Sequence, residues 1–323
     1  MLYPFTFEPI FQERIWGGRR LETLYGKALP PEKPIGESWE ICDRTNSESI
    51  VTNGPLKGHS LRWLMENHQE ELLGDQPSKN GRFPWLAKML DAQTDLSIQV
   101  HPPAAIAKTL NGEPKTEVWF IAHAEPSARL IAGLSTNLTE KQFKEKMGQP
   151  DFVDCLHNIP AQADQSLFIP SGRLHALGAG TVVFEIQENS DTTYRIHDWN
   201  RTGLDGKSRE LHVEQALKAI DFEDHKPTYC PTNWNTFNGF SSSLIADQPG
   251  IFRLSHVRMD DSVRLSLPGK GPHLIAVTHN TLALNSQDIT LELAAGQFAL
   301  VPASAEEVTI QGQAARFLLT QPA

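Results

Sequence analysis

The chain has 323 residues, of which 39% are hydrophobic and 21% charged, and its formal net charge is −10 at pH 7. A chain of this length can form two domains, or one large all-β core with an appendage. The acidic balance argues against general binding to nucleic acids or anionic membranes, because both require a basic surface. It still allows a small anionic substrate that is held by a few local cations.

The three cysteines, Cys42, Cys155 and Cys230, lie far apart and form no CxxC motif. This pattern excludes a disulfide framework and a zinc-finger set. Residues 1–9 lack the basic and apolar regions of a secretory signal, and no apolar run is long enough to span a bilayer. We therefore expect a cytoplasmic protein without nucleic-acid or membrane partners. The sequence leaves the oligomeric state open, with a monomer as one option.

The first 94 residues contain one clear helix signal and one apolar run. Apolar residues recur on one face from Ser60 through Leu73, and Gly74 follows as a stop, which predicts a helix. Residues 83–92 are largely apolar and include Lys88. An unpaired ammonium is costly in such surroundings, so Lys88 is a candidate functional residue as well as a candidate for a structural ion pair.

The run Asp-Leu-Ser-Ile-Gln-Val-His-Pro at 95–102 alternates apolar and polar residues. This alternation predicts a strand with Ser97, Gln99 and His101 on one face. The proline pair that starts at Pro102 cannot continue a central ladder, so we expect the strand to end there.

Two later segments carry residues that complement this strand. Glu117 opens another apolar run, and Lys115, two positions earlier, shares its face on an extended chain. The segment 170–175 reads Pro-x-Gly-x-x-His and follows a short apolar strand, a recurring cupin motif whose turn delivers His175 into a barrel mouth. Each of these residues alone is more often a packed histidine or a surface carboxylate. Together, two imidazoles, a carboxylate and an amide oxygen form a mixed ligand set for a divalent metal.

The remaining chain predicts a fold that is mainly β. A short helical insert covers about 138–158, and another short helix covers 213–220. We predict a cupin-like jelly-roll barrel with short helical segments in residues 1–225. A second, smaller β domain, a barrel or sandwich without a metal site, follows in 226–323, where short strands recur between turns.

Several charged residues lie close to these motifs in sequence. Lys88, Lys115 and Arg195 are candidate cations, and Asp191 is an acid in the segment before Arg195. Cations around a metal-ligand set favour a phosphorylated or carboxylated substrate. The residue types leave three functions open. These are proton transfer beside a carbonyl with zinc, oxygen chemistry with Fe²⁺, and sugar binding without turnover.

The motifs as a set resemble the type I mannose-6-phosphate isomerases (phosphomannose isomerases) in their short bacterial form. The most specific match is Ser-Ile-Gln-Val-His-Pro at 97–102, within the matching segment 96–102. The other matching segments, in the order of the family, are residues 16–18, 36–40, 115–117, 170–176 and 189–195. The resemblance covers most of residues 1–222 and implies a zinc-dependent interconversion of mannose 6-phosphate and fructose 6-phosphate, with one zinc ion per chain.

The resemblance also implies roles for individual residues. Gln99, His101, Glu117 and His175 match the metal ligands of the family. Arg195, Lys115 and Asp191 match catalytic positions, and Lys88 matches a substrate-binding one. The resemblance leaves the general base open among Lys115, Asp191 and a metal-bound hydroxide, and direct ligation by Gln99 is open too. The longer family members carry a helical domain that this chain lacks, and Thr116 stands where they have proline, so the preferred hexose phosphate is not fixed.

Overall fold

The computed structural model describes residues 2–78, 80–147, 149–260, 263–267, 271–286 and 289–323, with only the backbone described at 263 and 264. The chain divides into two compact units that are interleaved along the sequence. The first unit comprises Met1–Ile10, Ser38–Lys88 and Cys230–Ala323, and the second comprises Phe11–Glu37 and Met89–Tyr229. No helix in the described residues is long and apolar enough to cross a membrane.

Strands dominate both units. In chain order they are β1 (Ile10–Gly18), β2 (Ile35–Ile41), β3 (Asp43–Arg44), β4 (Ser47–Glu48), β5 (Trp85–Ala92), β6 (Ile98–Val100), β7 (Glu117–Ala124), β8 (Arg129–Leu134), β9 (Leu156–Pro160), β10 (Ser166–Ile169), β11 (His175–Leu177), β12 (Thr181–Glu188), β13 (Tyr194–His197), β14 (Trp234–Phe237), β15 (Phe240–Gln248), β16 (Phe252–Met259), β17 (Val263–Ser266), β18 (His273–His279), β19 (Thr281–Ser286), β20 (Ile289–Ala294), β21 (Phe298–Val301), β22 (Thr309–Gly312) and β23 (Arg316–Gln321). The α-helices are α1 (Arg20–Tyr25), α2 (Leu61–Asn67), α3 (Gln69–Leu73), α4 (Ala104–Ala107), α5 (Glu140–Lys146) and α6 (Val213–Ala219), and short 3₁₀ turns cover Lys108–Leu110 and Phe152–Cys155.

Two sheets build the candidate site in the second unit. One has the strand order β1-β2-β5-β12-β7-β10, and the other has the order β13-β6-β11-β8-β9. Apolar side chains of both sheets share one core, in which Trp119 and Val183 of the first sheet are grouped with Leu130 and Leu177 of the second. This two-sheet arrangement confirms the prediction of a mainly β, cupin-like fold.

The predicted helices form where their sequence signals lie. Thr139 caps α5, because its hydroxyl accepts from the Gln142 amide while the Gln142 side chain accepts from the Thr139 amide. The helix predicted over 60–73 is present as α2 and α3. It is interrupted at His68, whose backbone has φ −139° and ψ 30° and therefore leaves the helical region.

The C-terminal strands belong to the first unit and form two further sheets. Their orders are β14-β15-β16-β23-β18-β21 and β17-β22-β19-β20, and a shared core includes Val257 and Phe317 from one and Leu284 and Ile310 from the other. The N-terminal segment joins this unit through paired backbone hydrogen bonds of 2.8 and 2.9 Å between Phe5 and Leu300. The domain boundary predicted near residue 226 stays a prediction. Contacts such as that between Phe5 and Leu300 join segments that are distant in sequence, and for this reason the compact units are interleaved along the chain.

Candidate metal centre

A row of polar side chains crosses the sheet that contains β6. Gln99 pairs with Arg195 of β13 on one side and with His175 of β11 on the other. Ser97 and His101 lie on the same face as Gln99, two positions away along the strand. Ile98 and Val100 point the opposite way into an apolar core. The alternation read from the sequence therefore places the polar residues of this segment on one face.

The turn before β11 brings His175 to this row. Gly172 has φ 93°, in the left-handed region that glycine adopts without strain, and its amide donates to the His101 carbonyl at 2.9 Å. This hydrogen bond ties the Pro-x-Gly-x-x-His segment directly to the end of the strand that carries Gln99 and His101.

The carboxylate comes from the opposite sheet, where Glu117 begins β7. One ligand atom from each of His101, Glu117 and His175 can be chosen so that all three lie within 4.8 Å of one another. The Glu117 oxygens lie 3.5 Å from His101 Nε2 and 3.6 Å from His175 Nε2. All three side chains are buried, at 1% exposure or less. Two histidines and a carboxylate that converge in this way match the donor set of catalytic zinc sites.

Backbone carbonyls fix which nitrogen of each histidine faces the carboxylate. His101 Nδ1 lies 2.8 Å from the Thr192 carbonyl oxygen, and His175 Nδ1 lies 2.9 Å from that of Arg173. A carbonyl only accepts, so each Nδ1 carries the proton and each Nε2 presents a lone pair to the centre. Burial, followed by the Lys115 charge, lowers the pKa of His101 to about 3, and burial likewise lowers the pKa of His175. Both imidazoles are therefore neutral at pH 7, the form that binds metals.

Lys115 compensates the charge of Glu117. Its ammonium lies 2.7 Å from Glu117 Oε2 and donates to His101 Nε2 at 3.3 Å. Burial alone would raise the pKa of Glu117, but Lys115 and the histidines outweigh it and hold that pKa well below its usual range. Glu117 is therefore ionised, and neither of its buried oxygens has a hydrogen bond of good geometry among the described residues. A buried carboxylate whose oxygens lack well-formed hydrogen bonds is suited to bind a cation.

Gln99 contacts the same centre through its amide. Its Nε2 lies 3.2 Å from His175 Nε2 and donates to it, since the His175 proton is on Nδ1. The amide nitrogen thus occupies the lone pair that a metal would use. Ligation by Gln99 would require the amide to turn so that its oxygen faces the centre, because only the oxygen can bind a cation.

Glu185 is a member of this cluster that the sequence reasoning missed. Its Oε1 lies 3.8 Å from the Lys115 ammonium, and its Oε2 accepts from Trp119 Nε1 at 2.9 Å. The Trp119 ring in turn meets His175 edge-on, with centroids 5.4 Å apart. A signal was present in the sequence, since Glu185 is a lone acid within the apolar run 182–186.

The other three predicted site residues differ in their placement. Arg195 is the neighbour of Gln99 in the polar row, and its Nε donates to Ser97 Oγ at 3.2 Å. Burial, then the charge of Arg209, lowers the pKa of the Arg195 guanidinium. Asp191 is exposed, and no hydrogen bond or ion pair joins it to the triad in the described ranges.

Lys88 lies on β5 and is the last residue of the segment Ser38–Lys88, which belongs to the first unit. It is buried, and its ammonium sits 4.9 Å from the centroid of the Trp39 ring. This placement agrees with the high cost of leaving a lysine unpaired in an apolar run, because the ring face attracts the cation. A role of Lys88 in substrate binding stays a prediction.

Comparisons with known proteins agree on one family. The family model described as phosphomannose isomerase type I, catalytic domain, matches residues 5–113. A Bacillus subtilis protein named as a probable mannose-6-phosphate isomerase, GmuF, is 35% identical over 325 residues, with all of both chains covered. The crystal structure of a mannose 6-phosphate isomerase from Bacillus subtilis superposes with a TM-score of 0.90 and 30% identity over 99% of both chains. A zinc-bound mannose 6-phosphate isomerase structure shares the fold, with a TM-score of 0.77 at 17% identity over 99% of this chain and 100% of that one.

Proposed function

The chain belongs to the type I phosphomannose isomerase family, and from this premise we propose that it interconverts mannose 6-phosphate and fructose 6-phosphate with one bound zinc ion. The observation that carries the proposal is the convergence of His101, Glu117 and His175, all buried and with ligand atoms within 4.8 Å of one another. Gln99 is the proposed fourth ligand, after its amide has turned. A cytoplasmic location stays a prediction from the sequence.

Zinc, when bound, would supply a Lewis acid that polarises the sugar oxygens. The reaction moves a proton between adjacent carbons of the open-chain sugar through an enediol-like state. Arg195 would stabilise the negative charge that develops on oxygen, because a guanidinium is a fixed donor that needs no reorganisation. Lys115 and Asp191 are the candidates from this chain for proton transfer. Lys115 is already at the centre, whereas Asp191 would have to act from an exposed position.

The burial of the cluster supports the same chemistry. A site from which water is largely excluded strengthens the attraction between Arg195 and a developing oxyanion. It also protects an enediol-like intermediate from side reactions. The cations Lys115 and Arg195 favour a substrate that carries negative charge, and a phosphosugar meets this requirement.

The test is a coupled isomerase assay with mannose 6-phosphate, with and without a chelator, together with a measurement of zinc content. We expect about one zinc per chain and loss of turnover on chelation. His175→Ala should lose both metal and turnover. The matched control is His157→Ala, which removes a partly exposed histidine outside the triad and should retain both.

Three outcomes would contradict the proposal. A metal-free His175→Ala variant with full activity would remove the metal from the reaction. Binding of mannose 6-phosphate without conversion would indicate a sugar sensor instead. Activity that requires iron and consumes oxygen would indicate a cupin oxygenase.

A further inference from the structure

A buried carboxylate outside the metal triad, Asp198, holds both ends of the segment that follows β13. It is 6% exposed. Its Oδ1 accepts from Arg201 Nη2 at 2.7 Å, and its two oxygens accept from Arg209 Nη2 and Nε at 2.5 and 2.7 Å. We call these three residues the Asp198 clamp. The contact to Arg209 is bidentate, and this geometry fixes orientation as well as distance.

One side of the Asp198 clamp is attached to the segment that leads into β6. Arg201 Nη1 donates to the Asp95 carbonyl at 2.5 Å, and Trp199 Nε1 donates to the Leu96 carbonyl at 2.7 Å. The next residue is Ser97, whose hydroxyl accepts from Arg195 Nε. Arg201 of the clamp and Trp199, the neighbour of Asp198 in sequence, therefore hold the two residues that precede Ser97.

The other side adjoins the second partner of Arg195. Glu210 follows Arg209, and its carbonyl accepts from Arg195 Nη1 at 2.9 Å. The His212 amide also donates to the Arg195 carbonyl at 2.7 Å. Of the two groups that hold the guanidinium, the Glu210 carbonyl thus directly follows Arg209 of the clamp. Ser97 lies two residues after Asp95, whose carbonyl accepts from Arg201 of the clamp. Among the described residues, no carboxylate forms an ion pair with Arg195 itself.

The backbone at the start of the segment needs such support. Trp199 and Asn200 have φ values of 55° and 53°, in the left-handed region that side chains with a Cβ rarely adopt. Two consecutive residues in this conformation cost free energy and persist only where surrounding contacts hold them. The hydrogen bonds of Trp199 and Arg201 provide these contacts.

We propose that Asp198 is a positioning residue for Arg195, which it aligns through Arg209 and Arg201; the inference rests on the proposed function. Asp198 also supplies the negative charge that lets three guanidinium groups lie near one another. Without it, Arg201 and Arg209 lose their counter-ion, and the Glu210 carbonyl is no longer held in place. Arg195 then keeps its charge but loses its alignment with the reacting oxygen.

The test compares Asp198→Asn with the wild-type enzyme in the coupled assay. We expect kcat to fall by about tenfold or more with KM changed less than about threefold, because misalignment weakens an interaction made in the transition state. Zinc content should stay at the wild-type level. The matched control is Asp151→Asn, which breaks an exposed ion pair with Lys146 and should leave kcat unchanged.

A double-mutant cycle separates positioning from general stability. In an Arg195→Lys background, Asp198→Asn should lower kcat by less than about twofold, because the guanidinium group that Asp198 aligns is no longer present. Equal fold-losses in both backgrounds, or a wild-type kcat in Asp198→Asn, overturn the inference. If Asp198→Asn does not fold, Arg209→Lys replaces it. This variant keeps the positive charge but loses the bidentate contact to Asp198, so kcat should also fall. A wild-type kcat in Arg209→Lys overturns the inference. A wild-type protein without isomerase activity refutes the proposed function itself, which is a distinct result.

Discussion

Acidification should destabilise the metal-free protein through His101, because the folded protein holds this buried histidine in its neutral form. Burial and Lys115 lower its pKa in the folded protein to about 3, whereas an unfolded histidine titrates near 6.5. Between these values the unfolded chain binds a proton that the folded chain does not. The free energy of unfolding therefore falls as the pH drops below 6.5.

The magnitude follows from the difference in proton binding. At pH 5, protonation of one histidine stabilises the unfolded chain by about 2 kcal/mol, and at pH 7 the same effect is about 0.2 kcal/mol. His101 alone should thus cost about 2 kcal/mol of stability over this range, a large part of a typical total of about 5–15 kcal/mol. His175 adds to the effect in the same direction, since its pKa is also lowered. Glu117 contributes little in this window, because its folded pKa lies well below 4.5 and the carboxylate is ionised in both states.

The assay is urea unfolding of the chelated protein at pH 7, 6 and 5, for the wild type and for His101→Gln, which cannot titrate. The difference between the two proteins isolates His101, because the other ionisable groups largely cancel. The wild type should lose about 2 kcal/mol more than the variant between pH 7 and 5. Identical pH dependences of the two proteins would refute the assignment of His101 as a buried, neutral histidine. A larger loss in the variant would refute its sign.

Three further changes test the site and the fold. Glu117→Gln removes the proposed anionic ligand, so zinc content after dialysis should fall by more than about tenfold. The control Glu140→Gln, at an exposed position of α5, should change it little. Arg195→Lys keeps the positive charge but loses the planar guanidinium group, and kcat should fall by about 10- to 100-fold at nearly constant zinc content. A wild-type kcat would contradict the role of Arg195 in stabilising the oxyanion. Phe143→Ala empties a buried position that contacts the rings of Phe152 and Phe222, and chemical denaturation should show a loss of about 3–5 kcal/mol without a change in zinc content.

Local sequence patterns predicted which residues would face the site. The alternation around Gln99 has a period of two, which only an extended strand satisfies, and the strand is present as β6. The Pro-x-Gly-x-x-His segment predicted a turn, and within it Gly172 has a positive φ that glycine adopts without strain. The capping box of α5 likewise involves only Thr139 and Gln142, three residues apart. In each case the information lies within a few residues of the chain, where steric and hydrogen-bonding preferences act directly.

The groups around the site depend on contacts that no local pattern encodes. Glu185 carries only the weak signal of an acid in an apolar run, and its partners Lys115 and Trp119 come from a different strand. Asp198 reads as an ordinary polar residue in a turn-rich segment, and its role follows only from the positions of Arg201 and Arg209 in space. The interleaving of the two units likewise arises from long-range contacts such as that between Phe5 and Leu300.

Strand register connects the local sequence patterns with the long-range contacts around the site. Alternation decides which face of β6 carries Gln99, but the pairing with β13 and β11 decides that Arg195 and His175 become its neighbours. A slip of one residue in the β6–β13 pairing would turn Arg195 away from Gln99 and place an apolar neighbour of Arg195 on the polar face. The apolar residues Tyr194 and Ile196 resist that slip, because both are buried in the core that also holds Ile98 and Val100. The hydrophobic core of this sheet therefore fixes the register that places Arg195 beside Gln99 and the candidate metal ligands.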